Sequence, residues 1–419
     1  MKKFLLNYFK LLKNSIFPFY KNTDIQNLFK ALEINEPKDK EVAMFVGGCV
    51  RNFLSSKPID DIDIATIFSP DQLTNKLKDT NFKVIDTGLE HGSVTIISSK
   101  GKYEITTLRK DIKPDGRHTE IEIIDDWKED SNRRDFTINA IYLNKKGKVY
   151  DPQQGVQDLK NKIVKFIGDP ESRIEEDFLR ILRYVRFSIQ YETVIEKSSL
   201  QAIKLKINGI KNLSKERILN ELFKMIKLKN FHKIFYNKDL LAIFRLIFPE
   251  LKYANRLKDY HLIEKYIKKS NNLMIGILLL DETSEYEYFL HKYKLTNKLS
   301  DNMNILNNGY KNLVENKNFF KNNIKNNLFF YGKENIKTLF IINLLNKKKI
   351  TNQEIEFINK IEKISIPEFP FSGKSLIKIG IKEGKKIGII LKEAEKYWLN
   401  NNFEISNKDL ETIIRKYNT

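Results

Sequence analysis

Asp61 and Asp63 stand two residues apart in the run Asp61, Ile62, Asp63, Ile64, whose strict alternation predicts a half-buried β-strand over 61–65 with both carboxylates on one face. Side by side without a partner, such acids repel and one is driven toward protonation, whereas a divalent cation turns the same geometry into a favourable site. A few hard oxygen ligands, with room left for phosphate oxygens, suit Mg2+ better than a calcium cage. Just upstream, residues 41–46 read as a strand that runs into Gly47 and Gly48 and then into an apolar-periodic helical segment, Cys49 to Leu54. A backbone free of β-carbons at a strand-to-helix turn can approach a triphosphate closely, and the helix start offers N–H groups and a positive dipole end. Arg51 is placed in that helix to add a phosphate contact. Alone, the acid pair also fits the solvated face of an edge strand, and two glycines fit an ordinary turn. Their succession within one element points to phosphoryl or nucleotidyl chemistry.

The elements that must hold these groups follow from periodicity. Strands are expected at 42–46, 61–65, 83–86, 93–98 and 102–108, with a helix near 70–78, and residues 99–102 make the turn of a hairpin. In the last strand Glu104 shares a face with Thr106 and Leu108, where it could be a third carboxylate opposite the Asp61/Asp63 pair. Residues 109–130, charged and poor in apolar side chains, read as a mobile surface loop. Next comes Arg133, Arg134, Asp135 and Asn139 at the start of an apolar segment. The arginines can hold phosphates while Asp135 or Asn139 meets a ribose hydroxyl; a charge network at a helix N-terminus is the alternative. The turn-rich residues 151–159 mark a junction.

From about residue 171 the pattern becomes helical. Ile174, Phe178, Ile181, Leu182, Val185 and Ile189 give one helix over 173–190 a clear core face, and Glu176, Asp177, Arg180, Arg183 and Arg186 line its polar side. Asp177 and Arg180, three apart, would form an intrahelical ion pair on the simplest reading. Ser214 caps a further helix over 215–226. Beyond residue 230 the chain is helical and rich in Lys and Asn, and its interleaved aromatics (Phe231, Phe235, Tyr236, Tyr260, Tyr266, Tyr286, Phe289, Tyr293) belong chiefly to the core. A proline-rich break at 366–373 precedes the last helices.

With 74 Lys plus Arg against 54 Asp plus Glu, the 419 residues carry a formal charge of +20, which suggests a polyanionic partner, most simply a nucleic acid. The lone cysteine, Cys49, excludes an internal disulfide and fits a reducing, cytoplasmic compartment. Five scattered histidines give no zinc cluster. The segment from Met1 to Tyr20 is interrupted by Lys10 and Lys13 and does not read as a signal peptide, and no run is long enough to span a bilayer.

In this order, the stretches Gly47 to Arg51, Asp61 to Asp63, Arg133 to Ala140, Asp151 with Gly155 and Asp158, Glu176 to Arg180 with Arg183, Arg186 and Phe187, and Glu216 with Arg217 resemble the class II CCA-adding tRNA nucleotidyltransferases and the related bacterial poly(A) polymerases, within the polymerase β-like nucleotidyltransferase superfamily. Weaker similarity at residues 369–374 extends the resemblance along most of the chain. It implies an α+β protein: a nucleotidyltransferase head, or palm, with a mixed five-stranded sheet, followed by all-α neck, body and tail. The corresponding segments here are a lead-in at 1–40 with one short helix at 24–32, a head at 41–160, a neck at 161–230, a body at 231–330 and a tail at 331–419. By position, Asp61 and Asp63 look like the metal-binding carboxylates, Glu104 the third acid, 109–130 the flexible loop, Arg133 to Asn139 the ribose and triphosphate motif, and Asp177 with Arg180 the base-reading pair. The implied reaction is Mg2+-dependent addition of CCA to tRNA from CTP and ATP, with no stable protein partner and no membrane. A poly(A) polymerase, or an enzyme adding only A or only C, shares the head motifs, and a non-catalytic RNA-binding protein is the reading from another class. Two departures stand out: Asn52 where the family's first motif usually ends in Asp, and Gln154 where Gly is commoner.

Overall fold

Pairing decides where an alternating run becomes a strand. The computed structural model describes residues 18–88, 92–114, 119–321, 324–347, 350–381 and 384–417, and these fall into two compact units divided between Pro249 and Glu250. Most of the segment from Met1 to Tyr20, and Gly116 and Arg117 of the expected loop, lie outside the described residues.

The described residues of the first unit form nine strands: β1 Ala43–Val46, β2 Asp63–Thr66, β3 Lys83–Gly88, β4 Ser93–Ile97, β5 Lys102–Thr107, β6 Arg109–Pro114, β7 Thr119–Ile123, β8 Tyr142–Leu143 and β9 Val149–Tyr150. Seven of them make one mixed sheet of order β3-β4-β5-β2-β1-β8-β9, in which β2 and β5 are parallel and the other neighbours antiparallel. The expected five strands thus become seven, because β8 and β9 are two-residue strands too short to show an alternation. One face of the sheet, with Phe45, Ile64, Val94, Ile96 and Ile105, is buried beneath the helices Thr23–Leu32, Gly48–Leu54 and Pro70–Leu77. Ile25, Leu28, Phe29 and Leu32 of the first helix belong to that same core. The other face keeps only a small apolar patch around Met44, Val46, Ala65, Leu108 and Tyr142 and is therefore free to carry polar groups.

Three expectations are corrected. Asp61 is not in a strand: β2 begins at Asp63, although the Glu104 N–H still reaches the Ile62 carbonyl at 3.2 Å. Within the expected loop 109–130, the described residues include the antiparallel strands β6 and β7 and the start of the short helix Trp127–Asn132, whose N-cap Asp126 accepts from the N–H groups of Lys128 and Glu129. The helix expected over 173–190 is two, Pro170–Glu176 and Leu179–Tyr191, parted by Asp177 in an extended conformation (φ −155°, ψ 103°). The Asp177 carboxylate takes the Leu179 N–H at 3.1 Å, a side-chain bond that competes with helix continuation. The helix Lys215–Ile226 is present with Ser214 as its cap.

Among its described residues the second unit has helices and no strand: three short 3-10 turns, Ala254–Lys258, Tyr260–Leu262 and Glu264–Tyr266, precede α-helices running from Asn271–Leu279 to Asn407–Tyr417. Tyr260, Tyr286, Phe289 and Tyr293 are buried there, and Phe231 is buried in the first unit, as expected for core aromatics, while Tyr236 is exposed. No described helix is long and apolar enough to cross a membrane.

Candidate active site

Gly47 takes φ 71°, a left-handed conformation that costs L side chains but not glycine, and so turns β1 directly into the helix Gly48–Leu54. Asp63 closes over this turn: a β-carbon added at Gly47 would lie 3.5 Å from its Oδ2, and one at Gly48 3.8 Å. In the parallel pairing of β2 and β5, Asp63 is in register with Glu104, which sets both carboxylates on the open face. Asp61 is exposed just ahead of the strand. Burial, then the negative charges of Glu104 and Asp61, push the Asp63 carboxyl above its ordinary value, against a partial offset from Arg134. Lys102 Nζ lies 3.6 Å from Glu104 Oε1, an ion pair with both side chains exposed. Among the described residues no three acidic, His or Cys side chains stand close enough to make a closed metal cage. Hard oxygens on an open face fit a divalent cation that takes its remaining ligands from phosphate and water.

Beside the acids runs a wall of arginines. Asp130, fully buried, accepts from Arg133 Nε at 2.8 Å and from Arg134 Nη2 at 3.0 Å, and from the Tyr142 hydroxyl at 2.7 Å. Burial opposes its charge, yet Arg134, Arg133 and Tyr142 together hold the carboxyl down to about 2. Asp135 is likewise buried; it accepts from Arg183 Nε at 2.7 Å and Asn139 Nδ2 at 2.8 Å and is also held down to about 2, against the burial that opposes it. Asn139 Oδ1 in turn accepts from Arg51 Nη1. Arg186 donates to the buried Glu221 at 2.6 Å. Arg173 Nη2 donates to the carbonyls of Arg133 and Arg134 at 2.6 Å each, so the helix Pro170–Glu176 is bolted to the segment that carries the two arginines. Eight arginines (51, 133, 134, 173, 180, 183, 186, 217) face five carboxylates (Asp130, Asp135, Glu176, Asp177, Glu221), and the wall keeps a surplus of positive charge.

The expected intrahelical ion pair between Asp177 and Arg180 does not form. Asp177 is taken by Arg217 Nη2, at 3.0 and 2.8 Å to its two oxygens, while Arg180 Nη1 donates to Glu176 at 2.6 Å and to the Arg173 carbonyl at 2.7 Å. Their backbones stay joined, Arg180 N–H to the Asp177 carbonyl at 3.0 Å.

Residues 43–165 match the family described as "Poly A polymerase head domain", and residues 194–255 the one described as "Probable RNA and SrmB- binding site of polymerase A". The human protein named CCA tRNA nucleotidyltransferase 1, mitochondrial, is 30% identical, covering 94% of this chain and 92% of its own length. A CCA-adding enzyme of Lactobacillus delbrueckii subsp. bulgaricus is 31% identical over 84% of this chain and 88% of its own. The chain belongs to the CCA-adding tRNA nucleotidyltransferase family. Its fold is that of the Bacillus stearothermophilus CCA-adding enzyme solved with CTP, at a TM-score of 0.70 and 22% identity over 94% of this chain and 96% of that one.

Within this CCA-adding family member both departures have a structural answer. Gln154 adopts the left-handed conformation itself (φ 60°), so the turn is kept at a steric cost. Asn52 Nδ2 donates to the Pro58 carbonyl at 2.9 Å. Sequence reasoning missed Asp130 and Glu221. Asp130 precedes Arg133 and Arg134 by three and four residues, the helical spacing that would have revealed it, but it lay in a stretch read as loop. Glu221 sits between Ile218 and Leu222 on the apolar stripe of its helix, and an acid on that stripe is itself a signal of a buried partner.

Asp130→Asn is expected to lower the unfolding free energy by about 3–5 kcal/mol, because it leaves two largely buried guanidinium groups without their counter-charge. Depressed carboxylates such as Asp130 and Asp135 contribute stability that is present above the unfolded value of about 3.9 and is lost as the pH falls through the folded value. Chemical denaturation of the native protein should therefore show stability dropping as the pH falls from about 4 towards 2, with a shallower drop in Asp130→Asn.

Proposed function

We propose that this protein adds CCA to the 3′ ends of tRNA without a nucleic-acid template, by Mg2+-dependent nucleotidyl transfer from CTP and ATP with release of pyrophosphate. The observation that carries the reading is the in-register Asp63/Glu104 pair, with Asp63 seated on the Gly47–Gly48 turn, beside an arginine wall with surplus positive charge, in a chain that is similar to CCA-adding enzymes along almost its whole length.

Asp61 and Asp63 would hold the cation, with Glu104 keeping the site negative. A bound divalent ion supplies charge neutralisation at the reacting phosphate and a lowered pKa for an attacking hydroxyl. The N–H groups at the start of the helix Gly48–Leu54, with Arg51, take the triphosphate, and Arg133, Arg134, Arg183 and Arg186 complete the positive surround. Asp135 and Asn139, buried and hydrogen-bonded to Arg183 and Arg51, support these arginines; a ribose contact would have to share the same atoms. The chain's contribution is positioning and electrostatics.

Asp177 and Arg180 read the base. Cytosine and adenine both present an amino donor beside a ring-nitrogen acceptor, which a carboxylate and a guanidinium satisfy together. Uracil and guanine present the reverse pattern and leave both charged groups unpaired. The incoming base replaces Arg217 at Asp177 and Glu176 at Arg180, so both residues are held in place before it arrives. Helical residues from about 231 onward, in the body and tail, present the RNA. A reducing, cytoplasmic setting suits the buried Cys49 thiol, which burial pushes up to about 12 and so keeps protonated.

The matched head family carries a poly(A) polymerase description, which favours that enzyme as the second reading. Extension of tRNAs that end at the discriminator base, at C or at CC, with CTP, ATP or both, separates the two. Products that stop at CCA support the first reading, and a long A ladder supports the second.

A further inference from the structure

Arg51 is a long side chain held almost entirely out of solvent, 7% exposed, and four contacts leave it a single arrangement. Its Nε donates to the Tyr191 hydroxyl at 2.6 Å, its Nη1 to Asn139, and its guanidinium lies 4.6 Å from the ring centre of Phe187 and 5.2 Å from that of Tyr191. The remaining nitrogen, Nη2, lies 3.8 Å from where a β-carbon on Gly48 would stand, at the turn proposed to receive phosphates.

We propose that Tyr191 is the positioning residue for Arg51, aiming its free nitrogen at the glycine turn through a relay of hydrogen bonds that ends in the loop before the acidic strand. The proposal rests on the reading of Arg51 as a triphosphate ligand. Polarity along the relay is fixed by chemistry. A guanidinium only donates, so the Tyr191 oxygen accepts from it and its proton goes to Asn52 Oδ1, at 2.6 Å. The Asn52 amide then donates to the Pro58 carbonyl at 2.9 Å. A carboxylate at 52, usual in the family, has no proton for that last link, so the amide closes a relay that an acid would leave open. From the other side, Lys57 donates to the Gln190 carbonyl at 2.6 Å with its Nζ 3.9 Å from the Tyr191 ring centre, and so fixes the ring that Arg51 leans on. Tyr191 therefore couples the end of the helix Leu179–Tyr191 to the phosphate turn and to the chain that leads into Asp61 and Asp63.

Tyr191→Phe keeps the ring and its packing and removes only the relay. In titrations of the full-length protein with CTP and with CMP in magnesium buffer, Tyr191→Phe is expected to weaken CTP about tenfold and to leave CMP unchanged, since the loss falls on phosphates beyond the first. In turnover, KM for CTP should rise by a similar factor with kcat changed far less. Wild-type affinity for CTP in this variant, or an equal loss of CTP and CMP, would overturn the proposal. Arg51→Met separates the two readings. If it leaves CTP affinity intact, Arg51 is not a triphosphate ligand and the proposal loses its ground. If it weakens CTP while Tyr191→Phe does not, the relay alone is wrong.

Discussion

Asp63→Ala is expected to abolish nucleotide transfer, with a loss of about 10³-fold or more, while tRNA binding stays near its original strength. Asp63 rather than Asp61 takes the largest effect because it is the acid seated on the glycine turn and in register with Glu104, whereas Asp61 lies exposed ahead of the strand. Its carboxyl is pushed above its ordinary value by burial, Glu104 and Asp61, a repulsion that a bound cation would relieve. The same substitution relieves a repulsion, and the melting temperature should hold or rise. A variant that folds, binds tRNA and still transfers nucleotide would remove Asp63 from the metal site; one that loses tRNA affinity in parallel would make its role structural.

The second large effect is on selectivity. Arg180→Ala should relax discrimination against UTP relative to CTP by about 10- to 100-fold, the range expected when a buried charged donor no longer goes unpaired opposite the wrong base. The ratio of kcat/KM for the two nucleotides is the readout. Arg180 also holds Glu176 and the Arg173 carbonyl, so the alanine variant will lower overall efficiency as well. The ratio is insensitive to that common loss. An unchanged ratio would move base reading away from Arg180 and leave it as one more strut of the arginine wall.

The elements that position the acids were largely legible in the sequence, because each is declared locally. The glycine pair, the helix after it, the hairpin turn and the strand of Glu104 all lie where alternation and turn chemistry put them. What stayed hidden is non-local or too short for a period. The two-residue strands β8 and β9 exist only through their pairing, and the helix Trp127–Asn132 carries no apolar stripe. Asp177, at the break, is paired with Arg217, 40 residues away, and Tyr191 lies 140 residues from the arginine it contacts. The sequence carries Arg133, Arg134, Asp135 and Asn139 in one short segment. It could not say that the last two face inward, because the partners that turn them, Arg183 and Arg51, come from other elements.

The most direct test of the account is the product made on a tRNA that ends at the discriminator base when CTP is supplied alone, ATP alone, and both. CTP should give two added nucleotides and then arrest, ATP no efficient addition, and both together three nucleotides ending in A. A lengthening A ladder with ATP, or equal use of UTP, would contradict the account.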